Sequence, residues 1–178
     1  RLLRTPHDFK TLGISRLRTP VERKQVTPRS APLRSFSDQG GTMKELKGKV
    51  AVITGGAGGI GKAMGERFLA EGMKVVLSDL RSEQLDGAVN ELSGDGREVI
   101  GITADVSSLE SVEALRDATL ERFGKVHVVC NNAGVASGAH GRLWEHEIND
   151  WRFAFSVHVY GVINGINAFV PTLLDQDE

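Results

Sequence analysis

From residue 50 onward, apolar and polar positions follow two alternating periods. VAVIT (50–54), KVVLSD (74–79), REVIGITADV (97–106) and KVHVVCNN (125–132) are short, β-branched and mostly apolar, as expected of strands covered on both faces. Between them lie KAMGERFLAEG (62–72), EQLDGAVNELS (83–93) and LESVEALRDATLERFG (109–124). In the last of these Val112, Leu115, Ala118 and Leu120 fall at helical spacing. A longer apolar stretch predicts a further helix from about Asp150 to Leu174. Strand–helix alternation with apolar strands predicts an α/β fold whose parallel sheet is covered by helices on both sides. Right-handed crossovers make it doubly wound.

Residues 1–42 read differently. They hold four of the five prolines (Pro6, Pro20, Pro28, Pro32), no sustained apolar period, and nine Lys/Arg against three acidic residues. Such a segment buries too little surface to offset its ordering entropy, which predicts a disordered basic leader followed by a folded domain over 43–178. Met43 directly precedes KELKGKVAVITGG, so the leader is expected to be non-structural sequence upstream of the domain. An organelle-targeting peptide and charge-driven nucleic-acid binding are the alternatives. Three acids and the lack of an amphipathic helix weigh against targeting. No apolar run approaches the ~20 residues of a membrane helix, so no membrane partner is expected. The single cysteine, Cys130, lies in the apolar run VHVVC and is expected to be a core residue. With one cysteine and no secretory signal, the expected location is the reducing cytoplasm.

The chemistry starts at TGGAGGIG (54–61), between the first strand and the first helix. Gly56, Gly58 and Gly61 fit G-x-G-x-x-G, whereas Gly55, Gly59 and Gly61 fit T-G-x-x-x-G-x-G. In either register, bare backbone N–H groups and a helix N-terminus face a pyrophosphate. Asp79 ends the second strand, 18 residues past Gly61, near the spacing of a carboxylate that accepts the adenosine ribose hydroxyls. The same charge repels a 2′-phosphate, so NAD is expected over NADP, with Arg81 placed to soften the preference. The bland alternative for Asp79 is a helix cap.

Taken with ADV (104–106), NNAG (131–134) and GVINGINAFVP (161–171), these motifs make Leu46–Leu174 resemble the N-terminal part of a short-chain dehydrogenase/reductase. The resemblance implies a Rossmann-like fold, here truncated to about four strands in the order 3-2-1-4, and selects Gly55, Gly59 and Gly61, with Ile60 in the same turn. It implies that Asp105 and Val106 line the adenine pocket. It also implies that Asn131, Ala133 and Gly134 support the central strand beside the cofactor. The implied activity is hydride transfer between a nicotinamide cofactor and a small alcohol or carbonyl substrate, with homo-oligomers in full-length members.

The sequence departs from that pattern twice. The family's catalytic group contains Asn, Ser and a Tyr followed four residues later by Lys, whose charge lowers the Tyr pKa. Tyr160 is the only tyrosine, and Asn164 stands four residues on, so Tyr160 is expected to pack against a neighbour or a partner subunit. At the position of the family's active-site Asn stands His158, able in principle to bind a water or relay a proton. His127, His140 and His146 show no metal-ligand spacing, and no metal site is expected. The chain is therefore expected to bind nucleotide but not to turn over substrate alone. A strand-four edge and apolar helix positions (Val157, Val162, Ile166, Phe169) are expected to lie open. The competing expectations are a non-catalytic shortened form that pairs with a full-length relative, and a partial coding sequence.

Overall fold

The computed structural model describes residues 45–136 and 141–176; the expectations for residues 1–42 and for His140 fall outside them. Strand β1 (Val50–Thr54) leads to helix α1 (Gly59–Ala70), β2 (Lys74–Asp79), α2 (Ser82–Leu92), β3 (Val99–Thr103), α3 (Leu109–Phe123) and β4 (Val128–Cys130). A 3₁₀ turn (Leu143–Glu145) precedes α4 (Ile148–Phe155), which runs through a π-turn (Ser156–Tyr160) into α5 (Gly161–Asp175). The four strands are parallel and lie in the order β3-β2-β1-β4. The register sets Val52 between Val76 and Val129, and Ile53 between Leu77 and Cys130.

The two-residue period of a strand divides the core between two faces. Ile53, Val75 and Leu77 meet Leu69 of α1 and Leu85, Ala88 and Leu92 of α2. Val52 and Val76 face the other way, onto Val112 and Leu115 of α3 and Ala168 and Phe169 of α5. Helix α3 has a start and stop written into its sequence. The Ser108 side chain accepts a hydrogen bond from Ser111 N–H, and Gly124 closes the helix at φ 76°.

Several expectations need correction. The third and fourth strands are shorter than their apolar runs, 99–103 and 128–130, because both lie at sheet edges where pairing is on one side only. Phe169, expected to be exposed, is fully buried (0%) between the sheet and α3; Ile166 is exposed, while Val157 and Val162 are half-buried. The helix over 148–175 is 28 residues long and, by length and composition, apolar enough to cross a membrane, although polar residues interrupt its apolar run. Its Gly161, Gly165, Ala168 and Phe169 face is buried in the domain. A Cβ on Gly161 would lie 2.9 Å from Val106 Cγ2, and one on Gly165 would overlap the Asn131 carboxamide. Larger residues at these two positions would press the helix against the loops that follow β3 and β4.

Candidate cofactor-binding site

The C-terminal ends of β1 and β4 are joined through one side chain. The Thr54 hydroxyl donates to Cys130 O (3.2 Å) and accepts from the N–H groups of Asn132 and Ala133 (3.1 Å each). One donor and two acceptor positions are all that a hydroxyl has. Asn132 completes the tie, donating from Nδ2 to Thr54 O at 3.0 Å. Thr54 and Asn132 were not singled out from sequence; the signal for them is the first residue of TGGAGGIG and the second of NNAG, read as a pair.

The glycine turn follows. Gly55 and Gly59 adopt φ 67° and 52°, in the left-handed region that favours glycine. Gly56 and Gly58 do not; Gly58 is extended at φ −170°. The backbone thus matches the T-G-x-x-x-G-x-G register. Gly55 also lies against the NNAG turn, where an added Cβ would come within 2.9 Å of Ala133 Cα. A Cβ on Gly61 would overlap Gly55 O, so the turn and the first helical turn are packed backbone on backbone. Helix α1 has no side-chain cap, and the N–H groups of its first turn have no acceptor within the helix. Nothing stands within 4 Å of a Cβ position on Gly58 or Gly59. An uncapped helix start beside open space is where an anion is stabilised.

A cavity of about 710 Å³ opens beside this turn, walled by Gly55, Asp79, Asp105, Val106, Ala133 and Gly134 among others. Six predicted residues therefore come together. Gly59 and Ile60 lie outside the cavity wall at the exposed start of α1, with Ile60 74% exposed; Gly61 is buried beneath it. Asn131 turns its carboxamide toward Gly165 of α5, in a small crevice shared with Thr54 and Val106. Asp79 is held at both oxygens. Oδ2 accepts from Ala57 N–H (3.2 Å), and Oδ1 accepts from Arg81 N–H (3.2 Å) with the Arg81 guanidinium 3.4 Å away. It does not cap α2, whose N-cap is Arg81 with no side-chain cap bond. Asp105 accepts from the N–H and hydroxyl of Ser107 at 2.9 and 2.7 Å. Ser78, also on the cavity wall, carries a buried hydroxyl without a hydrogen-bond partner among the described residues.

The remaining candidates are placed as follows. His158 lies in the π-turn, with Nε2 2.8 Å from Val135 O. Tyr160 is exposed. Cys130 is half-buried, and burial pushes its thiol pKa up, the opposite of an activated thiolate. His127 Nδ1 accepts from Val50 N–H at 2.9 Å, a structural tie between strands. Among the described residues no group of three or more His, Cys, Asp or Glu side chains is placed to hold a metal.

The family model for short chain dehydrogenases matches residues 49–178. The chain belongs to the short-chain dehydrogenase family. It is 38% identical over 130 residues to 1-deoxy-11-beta-hydroxypentalenate dehydrogenase of Streptomyces avermitilis, covering 73% of this chain and 48% of that protein. It is 34% identical to fluoren-9-ol dehydrogenase of Terrabacter sp., covering 74% and 38% respectively. A solved short chain dehydrogenase/reductase from Burkholderia phymatum, in complex with NAD, superposes with a TM-score of 0.71 at 50% identity, over 75% of this chain and 47% of that one. This short-chain dehydrogenase chain thus spans about half the length or less of these relatives. Membership implies a nicotinamide cofactor. The cavity suits one: it runs from Gly55 of the glycine turn to a fixed carboxylate, across a wall of Ala and Gly, with the uncapped start of α1 outside its wall.

Proposed function

We propose that this chain is the cofactor-binding part of an NAD-preferring short-chain oxidoreductase, which moves hydride between nicotinamide and an alcohol or carbonyl group. The observation that carries the reading is Asp79. Its carboxylate is fixed by backbone N–H groups on both sides, at the wall of the cavity that begins at the glycine turn. Oδ1 accepts two bonds from Arg81, while Oδ2 accepts one and keeps acceptor capacity for a ribose hydroxyl. A 2′-phosphate brought to ~4 Å would meet a repulsion of about 1–4 kcal/mol between water-like and surface dielectrics. The nearby Arg81 guanidinium offsets part of this, which makes the NAD preference graded rather than absolute.

A bound nicotinamide would supply the hydride chemistry. The chain's own residues divide the remaining tasks. The first turn of α1 would hold the diphosphate, Asp79 would orient the adenosine ribose, and Ala133 and Gly134 would leave room along the cleft. Proton transfer is not provided. The only tyrosine is followed four residues later by Asn164, and losing a general acid–base costs about 10²- to 10⁴-fold. The isolated chain is therefore expected to bind NADH and to show no alcohol oxidation. Fluorescence titration with NADH and NADPH tests this. Saturable binding with NADH tighter is expected; binding of neither, or tighter NADPH, overturns the reading.

A second reading draws support from the outer face of the long helix. Trp151, Phe155, Val159, Ile163, Ile166 and Val170 are all at least 38% exposed and recur every three or four residues, which places them along one side. An apolar stripe of this kind fits a partner helix, in this reading that of a full-length relative. Light scattering on mixtures with such a relative separates the two: a heterodimer favours a non-catalytic pairing role.

A further inference from the structure

We propose that His158 is a positioning residue that clasps the exit of β4 to the π-turn of the long helix, and so holds the wall of the cleft remote from Asp79. The proposal deepens the nucleotide-binding reading and rests on it. The π-turn over 156–160 inserts an extra residue into the helix, with Gly161 N–H reaching back to Ser156 O. From that turn the His158 side chain reaches Val135, two residues past NNAG's alanine. One nitrogen, Nε2, faces both polar groups of the Val135 backbone: the carbonyl oxygen at 2.8 Å and the N–H at 3.3 Å. An imidazole nitrogen either donates or accepts, never both. The shorter distance assigns the proton to Nε2, donating to Val135 O and leaving Nδ1 as the acceptor.

The ring is seated as well as bonded. A Cβ on Gly134 would stand 2.9 Å from His158 Cε1, so the glycine of NNAG is what admits the imidazole. Val135, Ala136, Ser156 and Val157 all wall the cavity. The clasp therefore joins two segments, loop and π-turn, on the β4 side of the cleft, two strands over from the Asp79 carboxylate at the end of β2. In an extended dinucleotide that side receives the nicotinamide. His158 touches none of the reacting atoms in this arrangement and acts through Val135.

The clasp has an imperfect match that makes it testable. A glutamine amide reaches about as far as Nε2 and carries both a donor and an acceptor, so His158→Gln satisfies the Val135 C=O and N–H together. His158→Phe keeps the ring against Gly134 and loses the bond. The experiment compares the full chain with these two variants and His158→Ala, using NADH and ADP-ribose as probes, the latter lacking the nicotinamide. Loss of one net hydrogen bond corresponds to about three- to tenfold in affinity. NADH binding is expected to weaken by that factor in the Ala and Phe variants and to return in the Gln variant, with ADP-ribose affinity unchanged throughout. Nitrogen-15 NMR of the wild-type imidazole is expected to show the Nε2–H tautomer. A Phe variant that binds NADH as wild type does, or equal losses for both probes, overturns the positioning role. If the wild-type chain binds neither probe, the nucleotide reading fails on its own account. An Nδ1–H tautomer then refutes the clasp, and an Nε2–H signal with a Val135 amide shift in the Gln variant upholds it.

Discussion

Replacing Thr54 by valine removes a single hydroxyl at nearly constant volume from the point where β1, the glycine turn and the NNAG loop meet. The side chain is 3% exposed, and its oxygen makes three hydrogen bonds of 3.1–3.2 Å. Valine leaves two N–H groups and one carbonyl without that partner. A fully buried orphan costs about 1–3 kcal/mol. Asn132 N–H and Cys130 O keep a 2.8 Å bond to each other, so each loses one bond of two, about 0.5 kcal/mol apiece; Ala133 N–H loses its partner but is half-buried, so the lower end, about 1 kcal/mol, applies, giving about 2 kcal/mol in all. Thr54→Ser keeps the hydroxyl and loses one methyl, about 1 kcal/mol. The two variants thus rank opposite to their hydrophobicity. Urea unfolding of the full chain followed by circular dichroism measures both, with the slope checked for constancy so that midpoints compare directly. NADH affinity is expected to fall about tenfold in the valine variant, because the freed loop must be ordered on binding. A valine variant as stable as wild type, or a serine variant less stable than the valine one, refutes the idea that this hydroxyl is the tie between the strand ends.

Asp79→Ala is expected to weaken NADH binding by about tenfold or more and to narrow or reverse the preference over NADPH; parallel titrations read the ratio. Phe169→Ala empties a fully buried site between α3, α5 and the sheet and should cost about 3–5 kcal/mol in urea unfolding. Tyr160→Phe, at an exposed position, should shift stability by less than about 0.5 kcal/mol and leave NADH binding intact. Burial raises the Cys130 thiol pKa in the folded chain. The thiol ionises first in the unfolded state, so its contribution to stability is present below pH about 8.5 and declines above it. Thiol titration of the native chain should accordingly be slow until urea is added.

Much of this protein follows from local rules acting on the chain. Period-two and period-3.6 patterns place β1 and β2 as they stand and α2 within a residue, and the glycine cluster plus Asp79 locates the cleft, because a tight turn and a strand-end carboxylate are local features with few substitutes. Tertiary structure decided what those patterns leave degenerate. Apolar runs overstated β3 and β4, since strand length depends on how many neighbours pair, and edge strands have one. The exposure of Phe169 could not be read from its helix, whose apolar residues surround the axis; packing against α3 chose the buried side. Asn131 and Asn132 are equivalent in the motif, and only the alternation of the chain past β4 sends one to Gly165 and the other to Thr54. His158 likewise stands out as a residue out of place in sequence, while its bond to Val135, 23 residues away, exists only because the helix folds back across the loop.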